Sequence, residues 1–251
     1  MSEVVLQPVL SAFLVFCRIG GCLMLMPGFA STRVPMRVRL LLVVAISLAM
    51  SPLLMPALEG LASVDAPAQL FRAISSESFK GILIGFIGRL FLAAVEFAGN
   101  AIASLIGFGA LPGTPIEGTE PVPALGALIV LSATLFMFVL DLHLMVLMTI
   151  VDSYRALPPE GMFEAQPSLV ALTNKLSETT LLAGRLAAPF IIYSILINLA
   201  MGLTNKLTPQ IPVFFVSLPF IIAGGLFVFW FTIHDLLRVF AHALSSWLGT
   251  F

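Results

Sequence analysis

Six long apolar runs constrain this chain more than any other feature of its sequence. About 20 consecutive apolar residues span the hydrocarbon core of a bilayer as one α-helix. The composition agrees, since 59% of the 251 residues are hydrophobic, 10% are charged and the mean hydropathy is +1.09. A soluble domain of this size cannot hide so much apolar surface. We therefore predict an all-α membrane protein with apolar segments at 6–26, 40–58, 81–106, 124–150, 182–203 and 213–233.

The stretches between these segments predict how they are connected. The stretch EGLASVDAPAQLFRAISSESFK, before residue 81, is long enough to hold a surface helix. The stretch after residue 150 begins as a Pro-punctuated loop and is expected to become an amphipathic helix that leads into the fifth segment. Residues 234–251 have apolar residues at helical spacing and are predicted to form an amphipathic tail. Residues 1–251 are expected to form a single domain.

Charged and amide side chains inside the apolar runs indicate that these helices pack against protein. A lipid-facing charge costs about 2.5 to 3.5 kcal/mol at the centre of a span, so these groups cannot all face lipid. They are Arg18, Arg89, Glu96, Asn100, Asp141, His143, Arg185 and Asn198. The third segment also carries small residues at fourfold spacing, which let backbones approach closely. These are Gly81, Gly85, Gly99, Ala103 and Gly107.

The basic residues do not fit a simple alternation of spans. Arg33, Arg37 and Arg39 place the first connection in the cytoplasm by the positive-inside rule. Strict alternation then leaves the basic second and fourth connections outside, which contradicts the same rule. Either some segments are re-entrant, or the helices are surrounded by other protein instead of lipid.

No catalytic or metal-binding arrangement is predicted from the sequence. Asp141 and His143 are two residues apart on an expected helix and point in different directions. Cys17 and Cys22 point about 140° apart on a helix, which indicates neither a disulfide nor a shared metal. The net charge of −1 offers no basic patch for nucleic acid. We therefore expect no enzyme activity, no cofactor and no metal.

A secondary transporter is the competing interpretation of the buried polar groups. Such transporters bind solutes with ionisable side chains and helices interrupted by Pro or Gly. Here the charged positions are scattered over four segments, without a clear repeated pair of broken helices. This distribution favours assembly contacts over a single substrate site.

A polar turn separates the last two apolar segments. The sequence NLAMGLTNKLTPQIPVF, residues 198–214, places amides and a lysine between two apolar arms, and Gly202 and Pro209 are expected to mark the ends of the turn. Its polar side chains are costly in bare hydrocarbon. We predict that they bond to neighbouring protein and fix the register of stacking. The residues are Asn198, Asn205, Lys206 and Gln210.

Three stretches together resemble the FliR family of flagellar export-gate proteins and its injectisome relatives. They read RVPMRVRLLL, FMFVLDLHLMVLMTIVDSYRALPPEG and NLAMGLTNKLTPQIPVFFVSLPFIIAGGL. The last is the most specific, because it contains the pattern N-L-x-x-G-L-x-N-[KR]-x-x-P-Q-x-x-V-F. The resemblance covers nearly the whole chain.

This resemblance implies a component of the type III protein export gate in the bacterial inner membrane, at the flagellar basal body. Family members assemble with FliP-type and FliQ-type subunits into a closed helical cone, where one FliR-type chain packs like a fused FliP-like and FliQ-like pair. An FlhB-type protein wraps the cytoplasmic entrance and an FlhA-type ring lies below. Unfolded flagellar substrates pass through the cone. An injectisome homologue stays open as an alternative.

An export gate must pass unfolded chains while holding back ions, which an apolar constriction achieves by dewetting. The break after the third segment, GFGALPGTPIEGTEP, is the candidate, with one Phe and one Leu as plug and three glycines giving mobility. The residues are Gly107, Phe108, Gly109, Leu111 and Gly113. An ordinary Gly-Pro loop with one buried Phe explains the stretch equally well. The family commonly has two phenylalanines followed by Asp-Pro here, whereas this chain has one Phe and then Glu120-Pro121.

The resemblance also suggests roles for other polar residues. Arg33, Arg37 and Arg39 are assigned to the cytoplasmic entrance or to anionic lipid headgroups, with topology anchoring as an equal alternative. Asp141 and His143 resemble the family's polar pair in the fourth segment, and we interpret them as helix-packing groups. The predicted assembly contacts are Arg89, Glu96, Asn100, Asp141, His143, Arg185, Asn198, Asn205, Lys206 and Gln210.

Overall fold

The computed structural model is almost entirely helical, which confirms the predicted all-α class. It describes residues 2–31, 34–58, 67–109, 112–113, 122–159, 165–208, 210 and 213–250. The helices in these ranges are α1 (Ser2–Leu23), α2 (Met36–Leu54), α3 (Pro67–Leu105), α4 (Ala124–Val139), α5 (Leu142–Ala156), α6 (Ala165–Leu207) and α7 (Val213–Leu248). A 3₁₀ turn, Met55–Leu58, follows α2, and the strands β1 (Pro112–Gly113) and β2 (Val122–Pro123) form a short antiparallel ladder.

Four helical stretches among the described residues are long and apolar enough to cross a membrane. They are Met36–Leu58, Pro67–Leu105, Gln166–Leu207 and Val216–Leu248. The fourth predicted segment is not one continuous helix, because a break at Asp141 separates α4 from α5, and the pair counts as a fifth candidate only if taken together. Asp141 is left-handed there, with φ 56°, a conformation that Asp tolerates better than most residues. The first predicted segment forms α1, within which Gln7–Leu23 is an apolar helical stretch.

Three helices extend beyond the predicted apolar segments. α3 begins at Pro67, so the predicted surface helix and the third segment form one continuous helix. α6 runs from Ala165 through the fifth segment, and α7 continues through most of the predicted tail to Leu248. The sequence has no Gly or Pro between residues 226 and 248, hence nothing there to end the helix. The amphipathic stretch from 234 to 248 is therefore the end of α7 and not a separate element.

The chain divides into two compact units. The first comprises Met1–Leu90, Phe138–Leu176 and Leu244–Phe251, and the second comprises Phe91–Met137 and Ser177–Ala243. Each unit buries its own set of large apolar side chains. Fully buried examples in the first unit are Leu14, Ile19, Val43, Val146 and Ile150. Fully buried examples in the second are Ile102, Ile106, Ile129 and Phe190. The expectation of a single domain stays a prediction.

In the first unit, α1 and α3 meet backbone to backbone. A side chain added at Gly81 would overlap the carbonyl of Arg18, and one added at Gly85 would overlap the carbonyl of Cys22. From the opposite side, a Cβ on Gly21 would lie 2.9 Å from the carbonyl oxygen of Ser78. The predicted close approach at Gly81 and Gly85 is confirmed, because only glycine leaves room for the facing backbone.

In the second unit, Gly99 provides the same kind of contact between α3 and α4. A Cβ at Gly99 would lie 3.3 Å from the Cα of Gly126. Ala103, one turn further along α3, is fully buried. The small-residue spacing of the third segment therefore packs helices in both units.

Candidate functional site

The predicted gate segment begins with a specific helix ending. Gly107 has φ 84°, and its amide donates to the Ser104 carbonyl at 3.3 Å. The amide of Phe108 reaches back to the Ala103 carbonyl at 2.8 Å. This pair of hydrogen bonds with a left-handed glycine is the Schellman motif, which satisfies the last carbonyls of α3. Gly107 therefore ends the helix in a defined conformation, which is a different role from simple chain mobility.

The rest of the candidate plug is only partly described. Phe108 is half-buried and Gly109 is exposed, while Leu111 lies outside the described residues. Gly113 pairs with Val122 in the β1–β2 ladder, which brings the two ends of the intervening loop together. The structure thus defines the base of the loop, and the assignment of its plug side chains stays a prediction.

A cluster of buried charges in the first unit was not predicted as a site. Arg18 of α1 donates from Nε and Nη2 to the two carboxylate oxygens of Glu77 on α3, each at 2.7 Å. Lys80 lies one turn further along α3, with its Nζ 3.5 Å from Glu77. The side chains of Arg18 and Glu77 are fully buried, and that of Lys80 is 4% exposed. Arg18 and Lys80 therefore both contact the Glu77 carboxylate in the buried interior of the first unit.

The two cations of this cluster also contact the C-terminal end of α5. Arg18 Nη2 donates to the Leu157 carbonyl at 3.0 Å, and Lys80 Nζ donates to the Pro158 carbonyl at 2.8 Å. Arg18 also donates to Ser153 and stacks on the ring of Tyr154, with 3.8 Å between its Cζ and the ring centroid. Carbonyls at a helix C-terminus carry partial negative charge, so they offset the second cation. The cluster ties α1, α3 and the end of α5 together.

The sequence does not reveal this cluster, because two of its members lie in a predicted connection between apolar segments. Arg18 stands out as a polar group inside an apolar run, but the sequence indicates no partner for it. Glu77 and Lys80 lie in the stretch interpreted as a loop with a surface helix. Their spacing of three residues was the available signal, because it places both on one face of a helix.

The polar hairpin tip is positioned differently from the expected turn. Gly202 lies inside α6, so it does not mark the start of the turn, and Pro209 is outside the described residues. α6 continues past Gly202 to Leu207, and the sequence has no proline between Pro189 and Pro209 that would end it earlier. The four predicted side chains are exposed. They are Asn198, Asn205, Lys206 and Gln210.

The other predicted contact residues differ in burial. Arg89, Glu96, Asn100 and His143 are half-buried, and the His143 ring packs 5.2 Å from the ring of Phe138. The remaining two are exposed. They are Asp141 and Arg185. The role of the ten predicted residues as assembly contacts stays a prediction.

The candidate entrance arginines are described in part. Arg37 is exposed, while Arg39 is half-buried and donates from Nη2 to the Ser31 carbonyl at 2.8 Å. Arg33 is outside the described residues. The hydrogen bond of Arg39 ties the start of α2 to the preceding turn, which is compatible with either predicted role.

Together these features define a helical membrane protein whose polar groups lie at helix contacts and at an exposed hairpin tip. The described residues contain no group of His, Cys, Asp and Glu that could hold a metal ion. The chain belongs to the bacterial export proteins, family 1, since the family model matches residues 9–247.

Curated relatives carry the name flagellar biosynthetic protein FliR. The Caulobacter vibrioides protein is 30% identical over 217 residues, which cover 86% of this chain and 85% of the relative. The Escherichia coli protein is 28% identical, covering 80% and 75%, and the Bacillus subtilis protein is 24% identical, covering 84% and 81%. The resemblance to the FliR family is confirmed. The chain is accordingly a membrane component of the flagellar export apparatus.

Proposed function

We propose that this chain completes a closed helical channel through which unfolded flagellar proteins cross the bacterial inner membrane. In this proposal it lies at the flagellar basal body and assembles with FliP-type and FliQ-type subunits. An FlhB-type protein contacts the cytoplasmic entrance, and an FlhA-type ring receives substrates below it. The chain acts as a structural gate subunit and catalyses no reaction.

The observation that carries this proposal is the exposed surface of the α6–α7 hairpin. Large apolar side chains on both helices remain outside the core of the second unit. On α6 these include Ile191, Ile192, Ile195, Leu196, Leu199 and Leu203. On α7 they include Phe220, Phe227, Trp230 and Phe231. An isolated subunit that exposes so much apolar surface requires either lipid or other protein to cover it.

Polar groups on the same helix favour a protein partner. Arg185 and Asn198 are exposed on α6, within the stretch that is apolar enough to span a membrane. The Asn198 Nδ2 donates on its own helix to the Ser194 carbonyl at 2.8 Å and to the Ser194 hydroxyl at 3.1 Å, while its Oδ1 is an acceptor on the exposed face. A guanidinium or amide facing hydrocarbon is costly, whereas a neighbouring subunit can supply acceptors. We infer that partner helices cover this surface.

Purification tests the assembly directly. The chain is coexpressed with FliP-type and FliQ-type subunits, solubilised in detergent and analysed by native mass spectrometry. We expect a hetero-oligomer that contains one copy of this chain, and low recovery of the chain when it is expressed alone. A stable monomer or homo-oligomer that binds a small solute would contradict the proposal and favour the secondary transporter.

A further inference from the structure

The turn that begins the candidate plug rests on one short part of α7. A Cβ at Gly107 would lie 3.4 Å from Cγ1 of Ile222 and 3.6 Å from Cδ1 of Leu218. A side chain at Gly225 would overlap Ile106, the residue before the turn. All of these residues belong to the second compact unit. The Gly107 turn therefore packs against the α7 segment 218–225, which we call the α7 seat.

This seat contains residues of α7 that favour helix bending. Pro219 lies inside the helix and has no N–H, so one hydrogen bond of the helical ladder is absent there. Gly224 and Gly225 follow in the next turn, and glycine pairs and prolines are the usual positions of helix bending. A segment with these residues needs an external contact to hold one conformation.

Tyr193 of α6 supplies that contact. Its hydroxyl donates to the Ile221 carbonyl at 2.7 Å, and the backbone N–H of Gly225 is directed at the Tyr193 hydroxyl oxygen. Ile221 and Gly225 are partners in the helical ladder, so the hydroxyl lies beside their hydrogen bond. Gly224 admits the ring, because a Cβ there would lie only 2.6 Å from the Tyr193 oxygen.

We propose that Tyr193 is a positioning residue for the closed gate, which fixes the α7 seat and thereby the Gly107–Phe108 turn. The step from seat to turn is short, since Leu218 and Ile222 touch Gly107 on the face of α7 next to the one that Tyr193 holds. Loss of the hydroxyl leaves the Pro219–Gly225 segment free to bend, and the turn moves with it. The inference rests on the proposed gate function.

The test is ion leak through the assembled complex. The complex is reconstituted into liposomes, and proton flux is followed with an enclosed pH-sensitive dye. We expect Tyr193→Phe to raise the leak about two- to tenfold, the range for loss of one neutral hydrogen bond. The control is Thr232→Val, which removes a hydroxyl that bonds to the Val228 carbonyl of its own helix, at 2.9 Å. It should leave the leak unchanged.

A double substitution separates positioning from general destabilisation. Gly224→Ala alone should also raise the leak, because its methyl group meets the Tyr193 oxygen. In the Tyr193→Phe background the methyl group lies 3.4 Å from the nearest ring carbons, which is ordinary contact. Gly224→Ala should therefore add little to Tyr193→Phe. Additive effects of the two substitutions would overturn the proposal.

Failure of this inference can be told apart from failure of the gate proposal. If Phe108→Ala raises the leak but Tyr193→Phe matches the wild type, Tyr193 does not position the turn and the gate proposal survives. If neither raises it while the complex assembles fully, the turn is not the constriction, so the positioning role of Tyr193 is excluded while the assembly proposal stands. Copurification of the partner subunits with Tyr193→Phe should equal that of the wild type.

Discussion

At the residue scale, Glu77 is the carboxylate that links the buried cations of the first unit. It accepts both donors of the Arg18 fork and lies within 3.5 Å of Lys80, all of them buried. A buried ion pair adds little net stability compared with apolar packing, but its disruption strands a charge in a dry interior. Removal of the Glu77 carboxylate should therefore lower the free energy of unfolding by more than the intact ion pair contributes to it.

Glu77→Ala should therefore lower the stability of the complex strongly. The buried Arg18 guanidinium would lose its paired carboxylate, which costs about 3–5 kcal/mol by analogy with other broken buried pairs. The measurement is the thermal unfolding midpoint of the detergent-solubilised complex. If the alanine variant is not recovered, Glu77→Gln, which keeps the shape and removes the charge, should show a lowered midpoint.

Asp152→Ala is the matched control for Glu77→Ala. Asp152 also pairs with a cation three residues away, Arg155, at 3.9 Å, but its side chain is 45% exposed and that of Arg155 is 89% exposed. An exposed pair contributes about 0–1 kcal/mol, so the midpoint should barely change. Equal midpoints for Glu77→Ala and Asp152→Ala would show that the buried cluster does not stabilise the fold.

At the element scale, glycines set the distance between α1 and α3. Gly81→Ala should push the two helices apart, because the new methyl group would overlap the Arg18 carbonyl, which belongs to a backbone and cannot rotate away. We expect a loss of about 1–3 kcal/mol, the usual cost of overpacking. Thermal unfolding of the complex measures it.

The control for that substitution is Gly20→Ala on α1. There the methyl group would lie 3.4 Å from Cγ1 of Val43, an ordinary contact with a side chain. Both substitutions gain the same helix propensity, so the difference between their midpoints reports steric overlap alone. If Gly81→Ala is as stable as Gly20→Ala, the two helices do not pack as closely as described.

The α6–α7 hairpin gives a second prediction at this scale. Asn205→Ala and Gln210→Ala should weaken copurification of the FliP-type and FliQ-type subunits. Each substitution removes an exposed amide that would form hydrogen bonds with the neighbouring subunits. Pull-down yield under fixed detergent conditions measures the effect. Asn174→Ala, an exposed amide near the start of the same helix, is the control and should keep full yield. Full yield for all three variants would mean that the tip is not a docking element.

At the scale of the whole molecule, the gate proposal predicts leakage. Phe108→Ala combined with Leu111→Ala should raise proton flux through reconstituted complexes several-fold, because a wider and less apolar constriction stays wet. Phe71→Ala removes the same ring from an exposed position on α3 outside the turn and should not change the flux. Unchanged flux in the double variant would exclude this turn as the plug.

The sequence predicted the features that depend on local pattern and solvent. Length and apolarity of the runs predicted a helical membrane protein, and the spacing of Gly81, Gly85 and Gly99 predicted close helix contacts. Helix ends were predicted less well. α3 and α7 extend past their apolar segments because polar residues continue a helix readily when no breaker follows, so hydropathy alone underestimates their length.

By itself, then, the sequence determined the membrane class, the small-residue helix contacts and, through the hairpin pattern, the family. The tertiary structure alone decided which buried charges meet. Arg18 and Glu77 are 59 residues apart, and no local periodicity encodes a pair at that separation. The same holds for the hydrogen bond between Tyr193 and Ile221, which lie on opposite arms of a hairpin. The hydroxyl comes within hydrogen-bond distance of that carbonyl only when the two helices pack together.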